Sequence, residues 1–172
     1  GIVYAYSEFV QSGALLAALV LEANGYVHYS PSLVQDIDKA TGLPRPGTAR
    51  THIFMLSQAQ RQDLERKGVD VDTMYRCARC GDWYQDHTHV GHTCPGFVVA
   101  TYILVTGEHG GIKDIEYVNA RENLRGEKIK VVLGTKVTGQ GVDFHWIRQV
   151  HILDPWHNNT RIYQAIGRGI RH

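Results

Sequence analysis

A strand, a helix and a second strand crowd into residues 1–30, and that order restricts the chain more than any other feature. IVYAY (2–6) is a short β-branched and aromatic run, the pattern of a buried strand. SGALLAALVLEANG follows, with Ser12 offered as the helix cap and Gly25 as the stop at C′. YVHYS (26–30) reads as the next strand. Two strands joined through a helix at this spacing run parallel, because only a crossover connection returns the chain to the same end.

The rest of the chain extends the pattern and interrupts it. SPSLVQDIDKATG carries a cap with Pro31 at N1 and a Gly stop, the marks of a short helix. GLPRPG is a turn-rich break, and TARTHIFML is expected as a strand. SQAQRQDLERKG is expected as a helix with Ser57 as cap, Gln60 completing a capping box and Gly68 as terminator. Strand character returns in PGFVVATYILVTGEHGG (95–111), EKIKVVLGT and WIRQVHILD, with helices expected in IKDIEYVNARENLRG and NTRIYQAIGRGIR. The expected architecture is an α/β fold formed by residues 1–29 and 97–172, with an insertion at 30–96. A chain of 172 residues, 43% hydrophobic and 20% charged, suits one globular domain. Its net charge of +1 and pI near 7.9 do not mark a nucleic-acid binder, although a local basic groove is compatible with them. No run approaches the roughly 18 apolar residues of a membrane span, and no basic region heads a signal peptide. The strand that starts without a lead-in, and the helix in which the sequence stops, lead us to expect a piece of a longer protein.

Two stretches carry chemistry at the end of the fold. On a helical wheel of about 100° per residue, Gln164, Arg168 and Arg171 share one face. Ile162, Tyr163, Ile166 and Ile170 fall on the other side, where a sheet would cover them. Gly167 and Gly169 each cost about 1 kcal/mol relative to Ala in such a helix, so something must require close approach there. The fixed fork of arginine matches phosphate oxygens, and a solvated basic face is the plainer alternative. Upstream, VVLGTKVTGQGVDF gives a strand, then Gly134, Gly139 and Gly141, then Asp143. Glycines after a parallel strand let backbone approach a ligand at the sheet's carboxyl edge. Thr135 and Lys136 can donate to a phosphate, and Asp143 can accept from sugar hydroxyls. The loop has neither the G-x-G-x-x-G nor the G-x-x-x-x-G-K-[ST] order.

CARCGDWYQDHTHVGHTC (77–94) holds three cysteines and three histidines. C-x-x-C-G forms a knuckle whose backbone amides turn toward the sulfurs, and Zn²⁺ takes four S or N ligands in a tetrahedron. Cys77, Cys80 and Cys94 with one histidine would satisfy it. His87 is the expected fourth ligand, spaced evenly between Cys80 and Cys94, with His89 and His92 as alternatives. Free thiols and a redox pair are the competing readings, the latter without a clear strand-to-helix context. Arg45, Arg50, Arg61, Arg66, Lys67, Arg76 and Arg79 make the insertion locally basic, and Trp83 and Tyr84 offer rings for base stacking. Solvated charges with a small core, or a protein-docking role, explain the same residues.

Taken together, these stretches resemble motifs of superfamily 2 helicases and translocases. Gln164, Gly167, Arg168 and Arg171 match the Q-x-x-G-R-x-x-R of motif VI, and GTKVTGQGVDF is similar to motif V. VYAYSEFVQSGALLAALVLEANGY looks like motif IV with its following helix. YILVTGEH, NLRGEKIKVVLGT and QGVDFHWIRQVHILDPWHNNTRIYQAIGRGIRH most resemble helicase-type proteins of large DNA viruses, including the poxvirus-type early transcription factor small subunit. The resemblance covers 1–29 and 97–172 and implies a RecA-like parallel sheet with helices on both faces, interrupted by a zinc-binding insertion. It implies ATP with Mg²⁺ bound between this lobe and an N-terminal RecA-like domain of the same protein. That other lobe would carry the phosphate-binding lysine and the acidic box, for neither G-K-[ST] nor D-E-x-[DH] occurs in these residues. Arg171 would be the arginine finger, with Arg168 and Gln164 at the γ-phosphate or attacking water and Gly167 giving close approach. Gly141 and Asp143 would face the ribose and the interdomain cleft. Ser7, Phe9, Thr135 and Lys136 would touch the nucleic-acid backbone. The implied setting is intracellular, in host cytoplasm or virion, with transcription machinery as a partner and no membrane. A RecA-like scaffold that docks a partner through the zinc insertion is the competing class. A zinc-dependent hydrolase is disfavoured, because three thiolates make a closed structural site.

Overall fold

The computed structural model describes residues 1–45, 59, 62–63, 66–68, 74–88, 93–106, 112–136, 143–154, 160, 163–164 and 166–167. Among these, five strands form one sheet in the order β2-β3-β4-β1-β5. They are β1 (Ile2–Tyr6), β2 (Val27–His28), β3 (Thr101–Val105), β4 (Val131–Gly134) and β5 (Ile147–Ile152), and every pairing is parallel. The central strand β1 shows why the sequence alternates. Ile2, Tyr4 and Tyr6 face one core with Ile103, Val105, Val132 and Phe144. Val3 and Ala5 face the other, with Tyr102, Leu104, Val131 and Leu133.

Helices cover both faces. α1 (Leu16–Ala23) packs Ala18 on the Ala5 side, together with Ala14 just before it. α3 (Ile112–Asn119) packs Val118 on the Tyr4 side. The connection from β1 to β2 and the connection from β3 to β4 travel across the sheet in opposite directions. Right-handed crossovers then place their helices on opposite faces.

Several expectations are met in place and changed in detail. Gly25 ends α1 with φ +80, a left-handed conformation that suits glycine. Ser12 does not cap the helix. The chain winds directly from β1 into a π-helical turn, Val10–Leu15, whose N-cap is Phe9, and the Ala14 N–H donates to the Phe9 carbonyl. This wide turn requires glycine at position 13, where a Cβ would lie 1.7 Å from Ser7 Oγ. Ser30 caps α2 (Pro31–Asp36) by accepting from the Leu33 N–H at 3.2 Å, with Pro31 at N1 as the sequence implies. That helix ends at Asp36, before the anticipated glycine stop, because Ile37 turns extended and Asp38 forms an Asx turn with Ala40 and Thr41. The strand expected in TARTHIFML lies outside the described residues. Gly68 is left-handed at φ +74, as a terminator should be.

Asn123 joins α3 to β4 from a fully buried position. Its amide donates to the Val118 and Ile129 carbonyls and accepts from the Lys128 and Ile129 N–H groups, all within 3.2 Å. A second asparagine, Asn119, holds the approach to β5. It donates to the Asp143 carbonyl and accepts from the His145 N–H, while its own carbonyl receives Trp146 Nε1. Trp146 sits at φ +68, an outlier for a bulky side chain. Asn123→Ala strands three buried backbone groups and one half-buried, so urea unfolding should show a loss of about 3 kcal/mol.

Candidate functional site

In a parallel sheet all carboxyl ends share one edge. Here β1 and β4 are neighbours whose outgoing chains part company. β1 feeds α1 on the Ala5 face, while the segment after β4 returns through Phe144 on the Tyr4 face. Adjacent strands with diverging connections open a crevice at their carboxyl ends, where ligands of α/β sheets bind. The residues at that crevice are Ser7, Glu8 and Phe9 after β1 and Thr135 and Lys136 after β4, with Asp154 close by after β5.

Backbone bonds knit this rim: Ser7 N–H to the Gly134 carbonyl at 3.0 Å, and Leu153 N–H to the Tyr6 carbonyl at 2.9 Å. Ser7 is fully buried. Its hydroxyl donates to the Phe9 carbonyl and accepts from the Phe9 N–H. Thr135 is 1% exposed. Ser7 and Thr135, both expected at a nucleic-acid backbone, are buried at the rim. Phe9 is 47% exposed, and Lys136 reaches solvent while pairing with the carboxylate of Glu8. Glu8, which the sequence reading did not single out, is buried. It accepts from the Tyr6 hydroxyl at 2.9 Å, and its N–H donates to Asp154 Oδ2 at 2.8 Å. Burial, reinforced by the bond to Glu8, raises the Tyr6 hydroxyl well above its ordinary value, so it stays a donor.

The remaining nucleotide candidates are dispersed. Asp143 is exposed, its carbonyl held by Asn119. Gln164 and Gly167 are helical and exposed, and a Cβ at Gly167 would meet nothing within 4 Å. The close approach read from Gly167 is therefore not to the described protein itself. Arg168, Arg171 and Gly141 lie outside the described residues.

At the opposite, amino edge, four side chains converge. The ligand atoms of Cys77, Cys80, His87 and Cys94 all lie within 4.8 Å of one another. Cys77 and Cys94 Sγ are 4.0 Å apart, and Cys80 Sγ is 3.1 Å from His87 Nε2. Zn–S bonds of about 2.3 Å in a tetrahedron put sulfurs roughly 3.8 Å apart, so the geometry fits Zn²⁺. Its three thiolates and one imidazole are the donors a closed structural zinc site uses. Burial pushes the Cys77 thiol up, but backbone hydrogen bonds from Cys80, Val98 and Arg79 outweigh it and hold the group below its usual value. Cys80 is pushed up to about 12, first by burial and then by the crowding sulfurs of Cys77 and Cys94. Deprotonated together, sulfurs this close would need a cation between them. His89 and His92 lie outside the described residues.

The knuckle is tied into the sheet. Arg76 N–H donates to the Gly25 carbonyl, Ala100 N–H to the Arg76 carbonyl, and Ala78 N–H to the Val98 carbonyl. Arg79 pairs with Glu127 at 3.0 Å. Trp83 is covered by the Arg76 guanidinium at 4.3 Å and packs over Gly25, and Tyr84 stands edge-on to Phe97. Both rings hold the knuckle to the fold, which accounts for them without base stacking.

The sheet order, the helices on both faces and the ligand-ready carboxyl edge define a RecA-like α/β lobe. Residues 93–172 match the family described as the helicase conserved C-terminal domain, and the proteins the chain is similar to include viral helicases. It is 28% identical over 185 aligned residues to an Acanthamoeba polyphaga mimivirus protein named as a candidate ATP-dependent RNA helicase, covering 99% of this chain and 13% of the relative. It is 28% identical over 172 residues to the termination factor NPH-I homolog of African swine fever virus, covering 99% of this chain and 21% of the relative. An early transcription factor large subunit homolog of the same virus is 27% identical over 99 residues, 56% of this chain and 9% of the relative. That relative is named for a large subunit, whereas the sequence phrases resemble the small-subunit type. Aligned over nearly its whole length, the chain spans 13% and 21% of the first two of these relatives. No solved structure matches it. No described helix is long and apolar enough to cross a membrane.

Metal analysis of the purified protein should find one zinc per chain. Cys94→Ser should empty the site and lower Tm by about 5–10 °C, the effect of losing roughly 2–3 kcal/mol at this size. His87→Ala should weaken zinc binding, while His89→Ala and His92→Ala leave the zinc content unchanged.

Proposed function

We propose that the chain is the second RecA-like motor lobe of an ATP-dependent superfamily 2 helicase or translocase, viral and linked to transcription. The observation that carries this reading is the junction of β1 and β4. It sets the motif IV segment beside the motif V segment at the sheet's switch point, with Phe9 and Lys136 exposed on the rim. The relatives' names, an RNA helicase, a termination factor homolog and a transcription factor homolog, support the same class.

ATP with Mg²⁺ would supply the transferable phosphoryl group, bound between this lobe and an N-terminal RecA-like domain. Arg171 would stabilise the charge that develops on that group, and Arg168 and Gln164 would hold the γ-phosphate or the attacking water. Gly167 would admit the nucleotide closely, and Gly141 with Asp143 would take the ribose. Phe9 and Lys136 would track a nucleic-acid backbone, stacking and charge being contacts that carry no sequence. The isolated chain would be inactive, since it holds no phosphate-binding lysine motif. The protein would work in host cytoplasm or virion alongside transcription machinery. We place the fold proper at 1–29 and 97–172 and the insertion at 30–96, with Zn²⁺ held by Cys77, Cys80, His87 and Cys94 as a structural centre.

A docking scaffold is the second reading, favoured by one observation: the Cys/His knuckle sits at the amino edge. It is separated from the rim by a strand of five residues, about 17 Å. In the full-length protein, Arg171→Ala should lower nucleic-acid-stimulated ATP hydrolysis by about 10³- to 10⁵-fold, with folding unchanged by melting. Retained hydrolysis in both Arg171→Ala and Arg168→Ala would favour the scaffold.

A further inference from the structure

The sheet's switch point contains a charge, inside the motif IV segment, to which the resemblance gives no role. Glu8 follows β1 with its side chain 4% exposed, and it pairs with Lys136, whose side chain is 60% exposed. The residue is fixed from two other directions, one at its carboxylate and one at its backbone. The Tyr6 hydroxyl donates to its second oxygen, and Asp154 Oδ2 anchors its backbone N–H. The acid is therefore rigid and buried, while the base is flexible and wet.

That asymmetry has a consequence for any phosphate arriving at this rim. A lysine ammonium is a point charge on a mobile stem, free to exchange one oxyanion for another. Glu8 cannot follow it outward, because Tyr6 and the backbone hold it in place. A phosphate that engages Lys136 must take the ammonium from Glu8 and leave that buried carboxylate with one cation fewer. We propose that Glu8 is a positioning residue that acts as a built-in competitor for the phosphate backbone of single-stranded nucleic acid at Lys136. It parks the lysine at the rim and weakens the grip on each phosphate, as a motor that must release and re-engage its track requires. This deepens the motor reading and rests on its assignment of Lys136 to the nucleic-acid backbone.

The test uses the full-length protein and fluorescein-labelled oligouridylate, with oligothymidylate in parallel, measured by anisotropy across a salt series. Glu8→Gln keeps the shape and a hydrogen-bond acceptor for Tyr6 but removes the charge. It should tighten binding about two- to five-fold, the range of an exposed ion pair's coupling. It should also steepen the dependence of log K on log salt by about 0.7, the release of one more counterion from a single strand. In a Lys136→Met background Glu8→Gln should change nothing. Should Glu8→Gln fail to melt like the parent, Glu8→Asp draws the carboxylate back by one methylene and should shift affinity the same way by less. If Lys136→Met weakens binding while Glu8→Gln leaves it unchanged or weaker, the competitor role is overturned and the lysine contact stands. Equal tightening with and without Lys136 overturns it too, since a diffuse charge effect then suffices. If Lys136→Met itself changes nothing, the backbone contact fails and the competitor role fails with it.

Discussion

The pairing of β1 with two parallel neighbours is the constraint on which the molecule turns. Four of its residues pair with β4, Val3 to Tyr6, and all five pair with β5, Ile2 to Tyr6. A strand in that position exposes neither edge, so its side chains must satisfy two cores at once. Tyr4 does this with its ring against Phe144, and Ala5 by leaving room for the small residues before and within α1. Since every neighbour runs the same way, the sheet acquires two chemically different ends. One end collects loops that leave strands, the other collects loops that enter them.

Those ends have been put to different uses. The entering end is braced: the knuckle donates to the turn after α1, pairs with the chain before β3 and reaches Glu127 ahead of β4. β2 is only two residues long, too short to hold an edge by itself, and the braced chain from Val99 to Thr101 is what it leans on. The leaving end is built the other way, with a buried polar floor of Ser7 and Thr135 under a few exposed groups. The two ends therefore differ in build, one braced by the knuckle and one presenting exposed groups over a buried floor.

Much of the fold was legible because parallel strands write plainly. IVYAY, TYILV and KVVLG are near-continuous apolar runs, and Ser30 followed by Pro31 marks a helix start that needs no tertiary context. The Cys/His spacing was equally readable, since C-x-x-C-G is a local geometry and His87 falls inside the resulting cluster. What sequence reading missed was set by packing. Ser12 looked like a cap because capping residues are recognised locally, yet the contact of Gly13 with Ser7 starts the turn three residues sooner. Ser7 and Thr135 have the chemistry of ligands, and only the fold shows how deeply they are buried. Glu8 escaped notice because an acid is not what a phosphate-seeking pattern looks for. Its significance depends on a lysine 128 positions away in the chain, which the β1–β4 register brings to it.

The π-helical opening of α1 carries a last implication, for how this segment tolerates change in length. Loops between elements usually absorb insertions and deletions at little cost. Here the chain passes from Tyr6 to Ala14 without slack, because one extra residue per turn is what aligns Ala14 and Ala18 with the sheet. Losing a single residue would turn everything downstream by about 100° and carry that small-residue stripe off the core. The stretch from Ser7 to Gly13 is thus a spacer of fixed count, and drift in homologous sequences should appear there as substitution and not as gaps.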